Sequence, residues 1–600
     1  MDLTQGQKDI LAAQGHLLIT GGPGSGKTTV AILRASAEVA SLRPAQKVLF
    51  LSFARATVSR VVEAIGQETT LTAEKRKRIE VDTYHSFFWD IVRTHGYLLG
   101  LPRTLTLLTP SNEAIALSGI RSSFKTSGKL TPTERSRKLA AETAERLRLA
   151  KVEGKICFDL FAPYAAELLQ RSKKIRQLIS TAHPLVVLDE FQDTNAVQWA
   201  FVKSLGEGSK LIALADPEQR IFDFIGADPA RIGQFRAEYK PTEFDLKNDN
   251  HRSNGTDIAK FGNDILTGKY PNAPYAGVKV LLYKPNEAQA FSALVSHVLE
   301  ARKRLKGTPG WTLAILVPTK SLTRKVSEVL SSPPAGMPPI RHSATFDVAG
   351  TVLAAEIIAF LLEPGPSTQH FKKFVQLVCA YFLGRGGDAP TQKSMGEEKS
   401  IKAALVKAAQ AQAKKKPLPA NSILKALLTV YIETRKIKKT GDPDTDWLNV
   451  RKALAAGACS RLNEVAKEAM NMKLLDRGTQ FRQALSLDWQ AHGTYPNALE
   501  ITRQSFIQEH FSTALKPETG VVVMNMHKAK GKQFNEVIIF EGWPRVADGA
   551  IVANVDRIVR ANTKSGDLGQ ARQNLRVSVT RAKSQTTILT PKGDPCVLLT

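Results

Sequence analysis

Short apolar runs punctuate the first third of the chain, and each gives way to polar residues at its C-terminal end. "HLLIT" (16–20), "KVLFLSF" (47–53), "LVVLDE" (185–190) and "KLIALAD" (210–216) are near-continuous blocks of aliphatic and branched side chains. Runs that do not alternate apolar with polar predict strands covered on both faces. Helical periodicity between them, as in "TTVAILRASAEVA" (28–40), predicts a parallel sheet flanked by helices. From about 95 to 180 the strand pattern gives way to basic helical sequence such as "TPTERSRKLAAETAERLRLAKVEGK" (131–155). Strand signals resume with "KVLLY" (279–283), "TLAILVP" (312–318), "VVVMNM" (521–526) and "VIIF" (537–540). A second basic helical stretch, about 365–515, interrupts them; its "KAALVKAAQAQAKKKP" (402–417) predicts a solvated helix closed by Pro417. "SSPPAGMPP" (331–339) predicts a surface loop, and no solenoid repeat is present.

The pattern predicts an α/β protein with two parallel-sheet domains, each interrupted by a mainly helical insertion. The expected boundaries are 1–94 with 181–249 for the first sheet domain and 95–180 for its insertion. The second sheet domain takes 250–364 with 516–600, and its insertion 365–515.

Composition narrows the class. Six hundred residues exceed one core, and 43% apolar content with no membrane-length apolar run predicts a soluble protein. Eighty-three Lys plus Arg against fifty-six Asp plus Glu leave a net charge of +27, which favours a polyanionic partner, nucleic acid first. Cys157, Cys379, Cys459 and Cys596 stand singly, which argues against a disulfide framework or a metal ribbon and fits a reducing, cytoplasmic location. "MDLTQGQKDIL" has no basic segment followed by an apolar one, so no secretory signal is expected.

Candidate chemistry begins at "GGPGSGKT" (21–28), which fits G-x-x-x-x-G-K-[ST] between a strand and a helix. Glycines let backbone N–H groups turn onto phosphates, Lys27 supplies a cation, and Thr28 offers a hydroxyl to Mg²⁺. Gly22, Gly24, Ser25, Gly26, Lys27, Thr28 and Thr29 are the expected phosphate-loop positions, and ATP with Mg²⁺ the expected cofactor. "LVVLDEFQDTN" (185–195) then explains itself. Asp189 would hold Mg²⁺ and Glu190 would orient and deprotonate the attacking water. Gln192 and Asp193, not needed for that chemistry, are expected to face the rest of the machine as a relay.

In order and spacing these motifs resemble the superfamily 1A helicases of the UvrD/Rep type, over nearly the whole chain. "LTQGQ" (3–7) resembles the adenine-reading motif, which implies Gln7 as a base contact. "FLSFARATVSRV" (50–61) and "DTYHSFF" (82–88) are similar to single-strand-binding motifs. "VVLDEFQDTNAVQ" (186–198) is close to D-E-F-Q-D-T-N-x-x-Q, and "ALADPEQRIFDFIGA" (213–227) resembles the motif coupling γ-phosphate to DNA, with Gln219 as sensor. "NHRS" (250–253), "VVVMNMHKAKGKQF" (521–534) and "RVSVTRAK" (576–583) match the remaining motifs.

The resemblance implies two RecA-like P-loop domains facing each other across the nucleotide, with Arg252 and Arg581 as arginine fingers. It implies DNA contacts from Phe53, Arg55, Tyr84, His85, Phe222 and Phe224. Base stacking is worth roughly 1–3 kcal/mol per base whatever the sequence. Four positions depart from the family pattern. Gln533 replaces the acid that contacts the ribose, His251 replaces the adenine-stacking Tyr, Arg576 replaces a Tyr, and Ile225 replaces an Arg.

The expected activity is an ATP-dependent single-stranded DNA translocase and helicase acting on tailed duplexes in repair, recombination or phage defence. Its 3′–5′ polarity rests on the resemblance alone. The alternative is a nucleotide-gated DNA-binding ATPase subunit that regulates a partner such as a nuclease without processive unwinding. The short stretch after Arg581 leads to the expectation that no nuclease domain is fused here. An RNA helicase of the 1B branch is disfavoured by D-E-F-Q-D-T and T-Y-H-S.

Overall fold

The computed structural model describes residues 4–53, 55–67, 72–124, 130–219, 228–246, 251–271, 274–344, 348–365, 368–386, 392–413, 417, 422–471, 480–511, 518–548, 550–552, 557–559 and 568–599. Among them are two six-stranded sheets in which every neighbouring pair of strands is parallel.

The first sheet contains β1 (Leu17–Thr20), β2 (Val48–Ser52), β3 (Ile79–Thr83), β4 (Leu185–Leu188), β5 (Lys210–Ala215) and β6 (Thr242–Asp245). Their spatial order is β3-β2-β4-β5-β1-β6. Leu17, Ile19, Val48, Phe50, Leu185, Val187, Ile212 and Leu214 face one core, into which the helix Lys27–Val39 sets Val30, Ala31 and Ala35. Register aligns the strand ends: Thr20 pairs with Ala215, and Leu188 lies between Leu51 and Ala213. Gly21, Ser52, Asp189 and Asp216 therefore leave the sheet along a single edge. This is the carboxyl edge, where open α/β sheets bind ligands.

The second sheet contains β7 (Val278–Tyr283), β8 (Thr312–Val317), β9 (His342–Ala344), β10 (Gly520–Asn525), β11 (Phe534–Phe540) and β12 (Ala582–Pro591), in the order β9-β10-β8-β11-β12-β7. Central strand β8 shows why no polar alternation was visible in its sequence. Leu313, Ile315 and Val317 enter one core, and Ala314 and Leu316 enter the core on the other face.

The chain divides into two compact units. Both sheets belong to Met1–Val92, Ala162–Phe346 and Thr513–Thr600, while Arg93–Phe161 and Asp347–Ser512 form the other. The two stretches of the second unit are far apart in sequence, yet Ser111 Oγ donates to Ala349 O across them at 3.2 Å. Its centre is the helix Val348–Leu362, apolar all round, as a fully enclosed helix must be. The helix has one charge, Glu356, which is buried and met by Arg503 at 2.6 Å. The first stretch is not wholly helical: Thr106–Leu108 pairs in parallel with Lys155–Cys157. All four cysteines are free and buried, and no described helix is long and apolar enough to cross a membrane.

Edge strand β3 is tied down by charge. Glu80 Oε2 lies 3.0 Å from Lys47 Nζ and 3.5 Å from His183 Nε2. The hydrogen bond from His183, helped by Lys47, holds the Glu80 carboxyl down at about 2 against the opposing effect of burial. A depressed carboxylate stabilises the fold above its unfolded pKa and loses that contribution as pH falls toward the folded value. Glu80→Gln is therefore expected to lower the first melting transition by about 2 °C at pH 7. The difference should fade as pH falls from about 4.5 to 2; calorimetry at pH 7 and pH 2 checks both.

Candidate functional site

The loop after β1 is bare backbone in a confined space. Gly24 and Gly26 hold φ of 82° and 84°, a region that favours glycine, and Gly26 is the residue from which the helix Lys27–Val39 starts. A side chain at Gly21 would strike Ser25 Oγ at 2.6 Å; one at Gly26 would meet Gln7 Nε2 at 3.0 Å and the His251 ring at 3.4 Å. Lys27 Nζ donates to the carbonyls of Gly21 and Gly22 at 2.7 and 3.0 Å. Burial pushes its pKa down while Asp216, Glu190 and Asp189 pull it back up. Backbone donors, a lysine and the positive end of a helix fit the phosphates of a nucleotide. Thr28, half-buried, and Asp189 offer the hard oxygens that suit Mg²⁺, an ion satisfied by few protein ligands beside phosphate and water.

Asp189 continues from β4 with its N–H on Leu51 O (2.8 Å), and its carboxylate accepts from Ser52 Oγ at 3.1 Å. Glu190 then turns into the left-handed region, φ 54° and ψ 38°. For a residue with a side chain this conformation costs on the order of 1–3 kcal/mol, a strain typical of functional sites. The turn presents the carboxylate to its surroundings. Gln192 Nε2 donates to Glu190 Oε2 at 2.6 Å, and Gln192 Oε1 accepts from Asp216 N at 3.0 Å. One amide thus joins the tip of β4 to the tip of β5.

Cations close round these acids from both sheets. Arg252, on the segment leading from the first sheet toward the second, donates from Nη1 to Thr580 O at 3.0 Å. The next residue, Arg581, is buried and anchors Nε on Val577 O at 2.8 Å. The two expected fingers are thereby brought together. Burial pushes Arg252 well down and Arg581 down to about 10. Arg252 is lowered further by Arg581 and Arg60, Arg581 by Arg60 and Arg576, and Glu190 opposes the shift in both. Burial likewise disfavours charge on both carboxyls. Asp189 is pushed up by burial and by its neighbour Glu190, whereas Lys530, Lys27 and Arg581 overcome burial at Glu190 and hold it low.

Two members of this ring were not singled out from the sequence. Lys530 is buried, forms an ion pair with Asp193 and lies 3.7 Å from Glu190 Oε2. Arg60, on the helix Arg55–Gln67, is pushed down by burial and pulled back by Asp189 and Glu190. Both lie inside quoted motifs, and a basic residue there reads equally well as a DNA contact.

The remaining expected residues are distributed as follows. Gln7 completes a capping box, Thr4 N donating to its Oε1 at 3.2 Å, with Nε2 against Gly26. His251 N donates to Gly24 O at 2.8 Å. Thr29 and Gln533 are exposed, outside the bonded cluster. Phe53 is half-buried and packs on Tyr84 with centroids 4.6 Å apart. Tyr84 itself is fully buried, against Phe53 and Phe88, so its ring backs Phe53 and presents no face to a base. Arg55 is half-buried and His85 exposed, each at the start of its helix. Gln219 ends the turn Pro217–Gln219; its side chain, and all of Phe222, Phe224 and Ile225, lie outside the described residues.

Comparison with known proteins agrees with this geometry. The UvrD/REP helicase N-terminal domain matches residues 3–156 and 121–240. The Bacillus subtilis protein YjcD is 22% identical over 625 residues, covering 97% of this chain and 78% of that protein. The ATP-dependent DNA helicase PcrA of Bacillus subtilis is 24% identical over 365 residues, 54% of this chain and 48% of PcrA. PcrA of Staphylococcus aureus is 23% identical over 361 residues, 54% of this chain and 49% of its own length. The matched regions thus span about half the length of the PcrA relatives.

The Gln192 bridge makes a definite demand. Gln192→Ala removes the donor to Glu190 and leaves the buried Asp216 N–H unpaired, so ATP turnover is expected to fall about tenfold (~1.4 kcal/mol) with KM for ATP unchanged. Steady-state kinetics check this. Unchanged turnover would remove the bridge from the mechanism.

Proposed function

We propose, from the premise that this chain belongs to the UvrD/Rep-type helicases over residues 3–240, that it is an ATP- and Mg²⁺-dependent motor on single-stranded DNA. In this proposal it moves 3′ to 5′ and separates the duplex of a tailed substrate. The observation that carries the reading is the setting of Glu190. It is a strained carboxylate at the tip of β4, held low by Lys530, Lys27 and Arg581, which come from both sheets.

Each residue then has a physical task. The loop N–H groups and Lys27 bind the phosphates; Asp189 and Thr28 orient the metal. Mg²⁺, when bound, neutralises charge on the phosphate oxygens. Glu190 accepts the proton of the attacking water, and its depressed pKa keeps it ionised for that task. Arg252 and Arg581 stabilise charge developing on the transferred group, most strongly when water is excluded around them. Two of these cations belong with the second sheet, so hydrolysis is fastest when the sheets are drawn together, which links chemistry to movement.

The net charge of +27 supports a polyanionic track, and the half-buried face of Phe53 supports sequence-tolerant stacking on it. Gln7 and His251 lie beside Gly26, where they support contact with the nucleotide, and Gln533 is assigned to the ribose by resemblance. Arg55 and His85 complete the proposed DNA contacts. A role in repair, recombination or defence, with or without a nuclease partner, follows from this activity.

Single-turnover unwinding with matched 3′-tailed and 5′-tailed duplexes tests the reading. Strand separation of the 3′-tailed substrate alone, dependent on ATP and Mg²⁺, is the expected result. ATP hydrolysis stimulated by DNA without any strand separation would replace the motor by a nucleotide-gated DNA-binding subunit.

A further inference from the structure

We infer that Arg576 is a positioning residue by which the second sheet's last helix grips the loop after β5, so that DNA engagement at that loop is felt at Glu190. The inference rests on the proposed motor activity and adds to it a contact made by a residue that departs from the family pattern. Where the family pattern has a Tyr, this chain sets a guanidinium, and its surroundings are built for charge.

Arg576 lies on the helix Leu568–Val579 and is 1% exposed. Its Nη2 donates to Glu218 Oε2 at 3.1 Å and its Nη1 stands 3.5 Å from Asp216 Oδ2. Nε and Nη2 reach Asn263 Oδ1 at 3.3 and 3.1 Å, which fixes the plane of the fork from the helix Ile258–Thr267. Asp216 is itself buried, and its Oδ1 accepts from Glu218 N at 3.0 Å, so the two acids form one turn at the end of β5. Asp216 N is also the donor to Gln192 Oε1, and Gln192 donates to Glu190. An unbroken polar path therefore runs from Arg576 through Asp216 and Gln192 to Glu190. Glu218 stands a few residues before Phe222 in the chain.

A Tyr could fill this space but could not neutralise Asp216. A buried arginine and a buried aspartate that come from different sheets behave as a latch. Paired, they neutralise one another; parted, both return to water, and intermediate separations are disfavoured because each charge would be buried alone. Movement of the β5 loop is thus tied to the second sheet in two discrete states.

The test uses the full chain and ATPase rates with and without a poly-dT oligonucleotide. Arg576→Lys keeps the charge and loses the fork; Arg576→Tyr restores the family's residue; Glu218→Gln changes only the exposed partner, so folding is not at stake. Each is expected to lower the fold-stimulation by DNA at least fivefold, with DNA-free turnover and KM for ATP within about twofold of wild type. The double variant Arg576→Lys with Glu218→Gln is expected to be no worse than the poorer single variant, because both remove the same contact. Undiminished stimulation in Arg576→Lys and Arg576→Tyr overturns the inference, as does additive loss in the double variant. A lowered melting temperature with normal stimulation also overturns it and makes Arg576 purely structural. If the wild-type protein is not stimulated by DNA at all, the motor reading falls and takes this inference with it; a stimulated wild type with normal variants sinks the inference alone.

Discussion

Two adjacent carboxyls, buried Asp189 and half-buried Glu190, set the terms for this structure. At an effective dielectric of about 20, like charges ~4 Å apart repel by about 4 kcal/mol, and burial adds to that cost. The pair can stay ionised only if cations surround it. The fold supplies them from every side: Lys27 from the loop after β1, Arg60 from the helix after β2, and Lys530, Arg252 and Arg581 from segments associated with the second sheet. The charge balance of one strand tip is therefore completed only by bringing two sheets together.

That requirement explains why the sheets end as they do. The parallel register pairs Thr20 with Ala215 and sets Leu188 between Leu51 and Ala213, so Gly21, Ser52, Asp189 and Asp216 leave the sheet by one edge although nearly two hundred residues separate them. Gln192 converts adjacency into connection by bonding Glu190 to the backbone of Asp216. Charge, strain at Glu190 and a single amide bridge make the site sensitive to displacement of either sheet.

Much of this was legible in the sequence, for physical reasons. Central strands such as "LVVL" and "TLAILV" are buried on both faces, so they stand out as apolar blocks. The edge strands β3 (IEVDT), partly covered, and β6 (TEFD), mostly exposed, carry acids and give no such block, which is why they were not anticipated. The small parallel pair inside the first helical stretch was too short to register. At the site, the phosphate loop and the acids of β4 announce themselves because their chemistry constrains neighbouring positions. Lys530 and Arg60 do not, because their role depends on where a distant segment folds. Tyr84 shows the converse limit: a motif names an aromatic, but only packing reveals that it lies behind Phe53.

The most direct measurement is ATP turnover and ATP binding in Glu190→Gln beside the wild type, with single-stranded DNA present. The account predicts that binding is retained while turnover falls by at least about a hundredfold, since a general base is worth roughly 10²–10⁴. Turnover within a few-fold of wild type at equal affinity would contradict it, and the strained carboxylate at the tip of β4 would need another purpose.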